Sequence, residues 1–343
     1  MNARPTTPSS GGGLREFVKG AVALVIGLVV ALLLLELATR YVLDDGMNFD
    51  IEMWKYASDI KRVSDIPELG HEHTPNTEGF YMGVPVTINS LGLRNDEISL
   101  AKPDGVVRIL MLGDSVTFGW GVLQNDTVAA KLQELLNATP GATSIEVINS
   151  GVGNYNTVQE ITYFLSRGIE LDPDIVVLNY FINDAEPTPQ RHNSSILEHS
   201  YLAVFAMGRI DALMRTYFGK EDWKDYYAGL YRPDAPGWQA ALKSMDDLIA
   251  YTQANGIRLL IANYPELHQL DPYPFEKVTA AVEEVATSHG VAFVDLLPSV
   301  APLVPDTLWV SPEDAHPNAV ATDRFAEALA ETLRTQFPDL VAP

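Results

Sequence analysis

The sequence predicts an α/β fold of the doubly wound type, built on a mainly parallel sheet. Short apolar runs rich in β-branched residues alternate with longer segments whose apolar residues recur at helical spacing. Polar or glycine-rich motifs directly follow the first three of these runs, at the strand ends where open α/β sheets bind ligands. With 343 residues, 47% of them hydrophobic, the chain is long enough for one large domain with appendages.

The pattern switches regularly between strand and helix along residues 106–336. The first strand, Val106–Leu112, lies between two glycines, and its composition is typical of a buried parallel strand. Strands are predicted at 106–112, 144–148, 174–180, 256–263 and 291–297, and helices at 125–139, 158–170, 238–254, 275–289 and 319–336. This alternation is the strand–helix–strand order of a doubly wound sheet.

A long apolar segment near the amino terminus predicts a transmembrane signal anchor at residues 17–41. It contains the uncharged run Gly20–Leu35, and its length is sufficient for a helix to span a bilayer. Basic residues precede the segment and mostly acidic residues follow it, which predicts a single-pass inner-membrane protein with the rest of the chain in the periplasm or outside the cell. A cleaved signal peptide is the alternative, although no clean A-x-A site follows the run.

The chain divides further around this anchor. Residues 1–16, rich in Pro, Ser and Gly, are expected to form a disordered cytoplasmic tail. Residues 42–104 are expected to be a linker and an N-terminal clasp, with a short edge strand at Val84–Ile88. Arg94 lies in a turn that we expect to dock on the core as a structural clasp, with substrate binding as the alternative.

A domain at residues 105–340 is expected to follow, with a helical, aromatic-rich insertion at residues 186–236. The insertion contains a predicted amphipathic helix within residues 201–218, which is followed by Trp223, Tyr226, Tyr227 and Tyr231. Connections of this length often form lids or binding walls, while simple packing on the core is an equal alternative.

Composition excludes several classes of function. The net charge of −22 argues against nucleic-acid binding, which requires Lys and Arg to neutralise phosphates. The chain has no cysteine, so disulfides, thiolate nucleophiles and Cys-based metal sites are excluded.

His71 and His73 form an isolated H-x-H pair, which we interpret as ordinary surface histidines because a metal site needs three or four converging ligands. No metal or other cofactor is predicted.

Polar motifs follow the first three predicted strands. Ser115 is the last residue of the sequence Gly-Asp-Ser, which follows the first strand. It can act as a nucleophile if a base reaches its hydroxyl, or it can simply cap the next helix. The small residues of 149–157 follow the second strand and allow backbone N–H groups to face a ligand. Asn183 follows the third strand, where its amide could donate to a developing oxyanion or merely start a loop.

A histidine precedes the last predicted helix. His316 lies on a loop beside Glu313 and Asp314 and directly before a proline. An acidic neighbour fixes the tautomer of an imidazole, which is what a general base requires.

The N-S-x-G-x-R segment at 89–94 and the amino-terminal anchor resemble membrane-anchored bacterial members of the SGNH/GDSL hydrolase superfamily. Taken together, the motifs above resemble the blocks of this superfamily. They are G-D-S at 113–115, G-x-G at 151–153, N-D at 183–184 and D-x-H-P-N at 314–318. The resemblance implies a three-layer α/β/α flavodoxin-like sandwich with esterase or acyl-transfer activity and no metal. It implies Ser115 as nucleophile and His316 as base, with Ser115, the second block and Asn183 forming the oxyanion hole.

Two departures leave alternatives within this resemblance. Many members carry the oxyanion glycine five residues after the asparagine of the second block, where this chain has Asn154, so the backbone donor is either Asn154 or Gly153. The third block commonly has glycine where this chain has Phe181. The acid of the triad is also open, with Asp314 favoured over Glu313.

The resulting hypothesis is an extracytoplasmic serine esterase of the SGNH type. Its expected substrate is an ester, with short acyl groups such as acetyl removed from an envelope carbohydrate. An O-acyltransferase acting on a glycan through the same serine is one alternative. A catalytically silent glycan-binding module is another.

Overall fold

The computed structural model describes residues 12–138, 143–188, 199–217 and 223–341. Most of the predicted disordered tail and two stretches of the predicted insertion, 189–198 and 218–222, lie outside the described residues. The described chain forms two compact units. The first consists of residues up to Asp45 with residues from the range 194–212, and the second of residues from 46–193 and from 213 onward.

The first unit is built around one long apolar helix, α1 (Gly12–Ala38), which ends in a π-helical turn at Thr39–Leu43. Arg15–Leu43 is long and apolar enough to cross a membrane. The Glu36 carboxylate accepts hydrogen bonds from the backbone N–H groups of Tyr201 and Leu202. It therefore caps the amino-terminal end of the helix that starts at Tyr201.

The second unit begins with a segment, residues 46–104, that we call the clasp. It contains α2 (Phe49–Asp59), the antiparallel pair β1 (Lys61–Val63) and β2 (His71–His73), and the pair β3 (Thr77–Tyr81) and β4 (Val84–Ile88). The expected strand at Val84–Ile88 is present. The aromatic and aliphatic side chains of the clasp pack with Phe118 and Trp120 in one buried cluster.

A five-stranded parallel sheet forms the centre of the second unit. Its strands are β5 (Val106–Leu112), β6 (Ser144–Asn149), β7 (Ile175–Tyr180), β8 (Arg258–Asn263) and β9 (Ala292–Asp295), in the order β6-β5-β7-β8-β9. All five predicted strands are present, with ends that shift by a residue or two. The order reverses next to β5, which creates a ligand-binding crevice at the carboxyl end of that strand.

Helices cover both faces of this sheet. The helices that follow β5 in the chain are α3 (Ser115–Phe118), α4 (Val128–Asn137), α5 (Thr157–Ser166), α6 (Tyr201–Tyr217), α7 (Trp223–Leu230), α8 (Pro236–Asn255), α9 (Glu276–Ser288), α10 (Leu297–Val300) and α11 (Ala319–Gln336). Helices α4 and α11 bury their apolar stripes on one face, and α5, α8 and α9 on the other. The predicted doubly wound α/β fold is confirmed as a three-layer α/β/α arrangement.

Two predicted helices are shorter than expected because local capping ends them. Helix α4 starts at Val128 rather than 125, since the Thr127 hydroxyl accepts the Ala130 N–H and a 3₁₀ turn occupies Gln124–Asp126. Helix α5 ends at Ser166, and a 3₁₀ turn at Gly168–Leu171 follows it. The ends of helices are set by such capping contacts, which periodicity does not show.

The contacts of the clasp test two predictions, one on its histidines and one on Arg94. The interpretation of His71 and His73 as surface histidines is wrong: His73 is only 3% exposed and bonds Tyr56 and the Gly92 carbonyl, while the His71 ring bonds the Gly153 carbonyl. Arg94 is 1% exposed, and its guanidinium donates to the carbonyl oxygens of Phe118, Gly119 and Val122. These contacts make Arg94 a structural clasp on the turn after α3.

Candidate active site

Ser115 lies at the carboxyl end of β5, where the strand turns sharply into α3. Asp114 is the cap of this short helix, because its carboxylate accepts the Val116 N–H at 2.8 Å. Ser115 is therefore the first residue of the helix rather than its cap, and its hydroxyl is left for another partner. The loop after β6 lies directly against α3: a Cβ on Gly151 would come within 2.2 Å of the Phe118 backbone nitrogen.

The partner of the Ser115 hydroxyl is His316, 201 positions later in the chain. The distance from Ser115 Oγ to His316 Nε2 is 2.9 Å. On the other side of the ring, His316 Nδ1 lies 2.6 Å from Asp314 Oδ1. The second Asp314 oxygen accepts the Trp120 indole N–H at 2.9 Å. Among the two candidate acids, Asp314 is the carboxylate placed against the imidazole, whereas Glu313 is exposed.

His316 stands on a β-ribbon rather than on the expected loop. Strands β10 (Trp309–Ser311) and β11 (Asp314–Pro317) pair antiparallel with an irregular register. Asn318 ties this ribbon to the last helix, because its side-chain amide donates to the Thr307 and Trp309 carbonyls while its oxygen caps α11. The ring of His316 is also stacked on Phe49 of the clasp, with ring centroids 5.9 Å apart. These contacts hold the imidazole in one orientation.

The electrostatics of this pair favour a charged imidazole. Burial alone acts to lower the pKa of His316, but the charge and hydrogen bond of Asp314 outweigh it and raise the pKa above the ordinary value. For Asp314, burial acts to raise the pKa, and the charge of His316 with its hydrogen bonds lowers it overall. The carboxylate is therefore ionised and stabilises the positive form of the imidazole.

Four candidate donors for an oxyanion lie in the segments that follow β5, β6 and β7. Among the hydrogen bonds of the described residues, none uses the backbone N–H of Ser115 or of Asn154. The Gly153 N–H, by contrast, donates to the Tyr56 hydroxyl at 3.1 Å. The Asn183 amide donates to Asp114 at 3.2 Å, which places it next to the turn that carries Ser115. An amide NH₂ has a second hydrogen, so this contact leaves one donor unused.

A cavity of about 600 Å³ opens beside His316. Aromatic side chains from separate parts of the chain line it: Phe49, Phe181, Trp223 and Tyr227. Trp223 and Tyr227 come from the insertion, and their rings also contact Phe275. This part of the insertion therefore both packs on the core and forms a wall of the cavity. Across the cavity, His268 bonds Glu266 and lies between the rings of Trp223 and Trp309.

Sequence reasoning did not identify Trp120, Phe49 or Asp114 as parts of this site. Trp120 lies in the same glycine-rich stretch as Ser115, but its bond to Asp314 joins positions 194 apart. Phe49 lies in the clasp, which carries no catalytic motif. Among the described residues, no group of three or more His, Asp or Glu side chains is arranged to hold a metal ion.

The chain was compared with known proteins. The family model described as the GDSL-like lipase/acylhydrolase family matches residues 111–324. Solved structures with a similar fold include a lipolytic protein of the G-D-S-L family from Desulfitobacterium hafniense, with 13% identity, 66% of this chain and 99% of that chain covered, and a TM-score of 0.41. A lipase/acylhydrolase from Enterococcus faecalis shows 12% identity, coverage of 67% and 96%, and a TM-score of 0.42.

A third similar structure is a catalytic mutant of an acetylxylan esterase from Geobacillus stearothermophilus. It shows 16% identity, coverage of 66% of this chain and 94% of that chain, and a TM-score of 0.44. The search among curated proteins found no match.

Proposed function

The chain belongs to the GDSL-like lipase/acylhydrolase family and is a carboxylic ester hydrolase, and from this premise we propose that Ser115, His316 and Asp314 are its catalytic triad. The observation that supports the triad best is the 2.9 Å contact between Ser115 Oγ and His316 Nε2. Asp314 Oδ1 lies 2.6 Å from His316 Nδ1, on the side of the imidazole away from Ser115, where the acid of a triad is expected.

The chemistry follows from these positions. His316 Nε2 takes the proton of Ser115 as Oγ forms a bond to the ester carbonyl carbon. The imidazolium then gives that proton to the leaving alcohol oxygen, and the ester C–O bond breaks to leave an acyl-enzyme. Water, deprotonated by the same imidazole, attacks the acyl carbon and releases the acid with Ser115 restored. Asp314 stays ionised throughout and stabilises the imidazolium.

The negative oxygen of each tetrahedral intermediate needs donors on its other side. In our proposal these are the backbone N–H groups of Ser115 and Asn154 and the second hydrogen of the Asn183 amide. Asn154 is preferred to Gly153, since the Gly153 N–H is used by Tyr56. One such donor contributes on the order of 3 kcal/mol to the transition state.

The substrate that we propose is a short acyl ester, such as acetyl, on a carbohydrate. The cavity beside His316 has several aromatic walls, of which Trp223 and Tyr227 are half-buried and offer ring faces. Aromatic rings provide flat, rigid apolar surface with polar edges, which suits the apolar face of a sugar ring.

We further propose that residues 17–41 anchor the enzyme in the inner membrane, with its catalytic part outside the cytoplasm. The helix Arg15–Leu43 supports this proposal by its length and composition. Arg15 and Lys19 lie at one end of it, and Asp44 and Asp45 at the other, as the positive-inside rule requires. An envelope carbohydrate is then within reach of the site.

The substrate class is tested with the full chain in lipid nanodiscs, supplied with an O-acetylated oligosaccharide and with p-nitrophenyl acetate. We expect free acetate from both, and Trp223→Ala should raise KM for the oligosaccharide about tenfold because a ring contact is lost. KM for p-nitrophenyl acetate, which has no sugar, should change less than about twofold.

Two results would contradict this assignment. A p-nitrophenyl ester with a long acyl chain that is cleaved far better than the acetylated sugar would indicate a lipid or thioester substrate. Acetyl transfer to an added acceptor sugar without free acetate would indicate an acyltransferase.

The pH dependence of kcat/KM should reflect the raised pKa of His316. The base works only as neutral imidazole, so kcat/KM is lost as the pH falls through the pKa of the free enzyme. Because Asp314 raises that pKa, the midpoint of the acid limb should lie above the ordinary histidine value of 6.5. Initial rates between pH 5 and 9 measure it. A midpoint well below 6.5 would mean that Asp314 does not act on the base.

A further inference from the structure

Three side chains of the clasp surround the Gly153 residue of the loop after β6. Lys61 Nζ donates to the Gly153 carbonyl at 2.5 Å and to the Asn154 side-chain oxygen at 3.0 Å. His71 Nε2 donates to the same carbonyl at 3.1 Å. Tyr56 accepts the Gly153 N–H through its hydroxyl oxygen at 3.1 Å. Both polar groups of this glycine are therefore held by residues that precede β5 in the chain.

The Tyr56 hydroxyl is held in place by a second hydrogen bond, to His73. His73 Nδ1 donates to the Gly92 carbonyl, which leaves Nε2 as an acceptor for the Tyr56 hydroxyl at 2.6 Å. Burial lowers the pKa of His73 to about 3 and that of His71 to about 4, so both rings are neutral at neutral pH and keep one donor and one acceptor each. Tyr56 is fully buried, which makes this chain of hydrogen bonds rigid.

The Gly153 carbonyl and the Asn154 N–H belong to one peptide unit. A trans peptide is planar and its C=O and N–H point in opposite directions, so donors that fix the carbonyl also fix the direction of the N–H. Hydrogen bonds to the carbonyl polarise the unit and strengthen its N–H as a donor. The described structure gives that N–H no acceptor of its own.

Asn154 also adopts a backbone conformation that needs support. Its φ is +66°, in the left-handed region that is unfavourable for a non-glycine residue. Asparagine tolerates this region better than most residues, particularly when its side chain has a local hydrogen-bond partner. The Lys61 amino group, which also lies 4.7 Å from the centre of the Tyr56 ring, provides that partner.

We propose that Lys61, assisted by His71, is a positioning residue of the esterase: it locks the Gly153–Asn154 peptide so that the Asn154 N–H points into the oxyanion hole. The inference rests on the proposed function, since it needs Asn154 to be one of the donors. It assigns a role in the reaction to residues that lie outside the family match, which covers 111–324. Lys61 acts through Asn154 and touches no reacting atom.

The test compares Lys61→Met with Arg62→Met in the full chain, using p-nitrophenyl acetate. Methionine keeps the length of Lys61 but donates no hydrogen bond. We expect Lys61→Met to lower kcat by about 10- to 100-fold and to leave KM within about twofold. The reason is that the Asn154 N–H is displaced, and its hydrogen bond to the oxyanion forms only in the transition state. Arg62 lies on the same strand and pairs with Glu72, so it controls for a general loss of clasp contacts.

The mechanism is tested separately by Asn154→Gly. Glycine adopts the left-handed conformation without strain and has no side chain for Lys61 to hold. In the Asn154→Gly background, we expect Lys61→Met to lower kcat by only about threefold, which is a smaller loss than in the parent chain. Equal losses in the two backgrounds would overturn the role of the bond between Lys61 and the Asn154 side chain. A rise in KM at unchanged kcat would overturn it too, since that result indicates contact with substrate.

The same variants distinguish an incorrect role for Lys61 from an incorrect catalytic triad. If Ser115→Ala abolishes turnover but Lys61→Met is no slower than Arg62→Met, the positioning role is wrong and the triad stands. If turnover survives Ser115→Ala, the triad itself is wrong, and the positioning role falls with it. Should Lys61→Met fail to fold, as judged by its thermal transition, His71→Phe removes the other donor to the same carbonyl and should lower kcat in the same way by a smaller factor.

Discussion

Replacing Ser115 with alanine is expected to lower kcat/KM for p-nitrophenyl acetate by about 10⁴-fold or more. The reaction loses its nucleophile, and no other hydroxyl among the described residues bonds the His316 ring nitrogen that faces Ser115. The substitution removes one oxygen from a residue that starts a helix, and alanine is well tolerated there. The protein should therefore keep its thermal transition within a few degrees while losing activity.

The measurement pairs initial rates with labelling by a fluorophosphonate probe. The probe should form an adduct on Ser115 of the parent chain, mapped by mass spectrometry, and none on the alanine variant. Ser299→Ala is a suitable control, because the Ser299 hydroxyl also lies on a short helix but bonds only a backbone carbonyl in the structure. Turnover by the Ser115 variant within tenfold of the parent would refute the nucleophile assignment.

Asp314→Asn should lower kcat/KM by about 10³- to 10⁴-fold. The carboxylate holds His316 Nδ1–H at 2.6 Å, so Nε2 is left unprotonated and ready to accept the Ser115 proton. An asparagine amide in its place can present N–H groups to Nδ1, which favours the opposite tautomer. It also has no charge with which to stabilise the imidazolium.

Glu313→Gln is the matched control for this change. It alters the neighbouring acid in the same way, and Glu313 is exposed, so the expected change in kcat/KM is less than about twofold. The two single variants therefore decide between the acids that the sequence left open. A large loss at Glu313 with little at Asp314 would reverse the assignment. It would mean that the ribbon rearranges when substrate binds.

The sheet and its covering helices could be predicted from the sequence because their signal is local. A strand buried on both faces, such as Val106–Leu112, needs apolar residues at every position, and a covering helix such as Ala319–Gln336 needs them at helical spacing. Parallel topology then brings the ends of strands together. For that reason the loops bearing Ser115 and Asn183 could be placed at one edge before any coordinates were available.

The clasp could not be predicted in the same way, because its contacts join distant positions. The hydrogen bond of His71 to Gly153 spans 82 positions, and that of Lys61 to Asn154 spans 93. Short strands and isolated histidines carry no periodicity that would indicate burial. For this reason the prediction of surface histidines is wrong: His71 and His73 form hydrogen bonds to Gly153, Tyr56 and Gly92, which the sequence pattern does not indicate.

Arg94 carries a practical consequence for anyone who wishes to produce the enzyme without its apolar helix. Its guanidinium holds three carbonyl oxygens just downstream of the nucleophile, and burial lowers its pKa to about 10, so the charge persists at neutral pH. A recombinant fragment cut at the edge of the recognised family region would lack this arginine, and it would also lack the clasp side chains that bury Trp120. The expression boundary belongs near residue 46, well upstream of the first sheet strand.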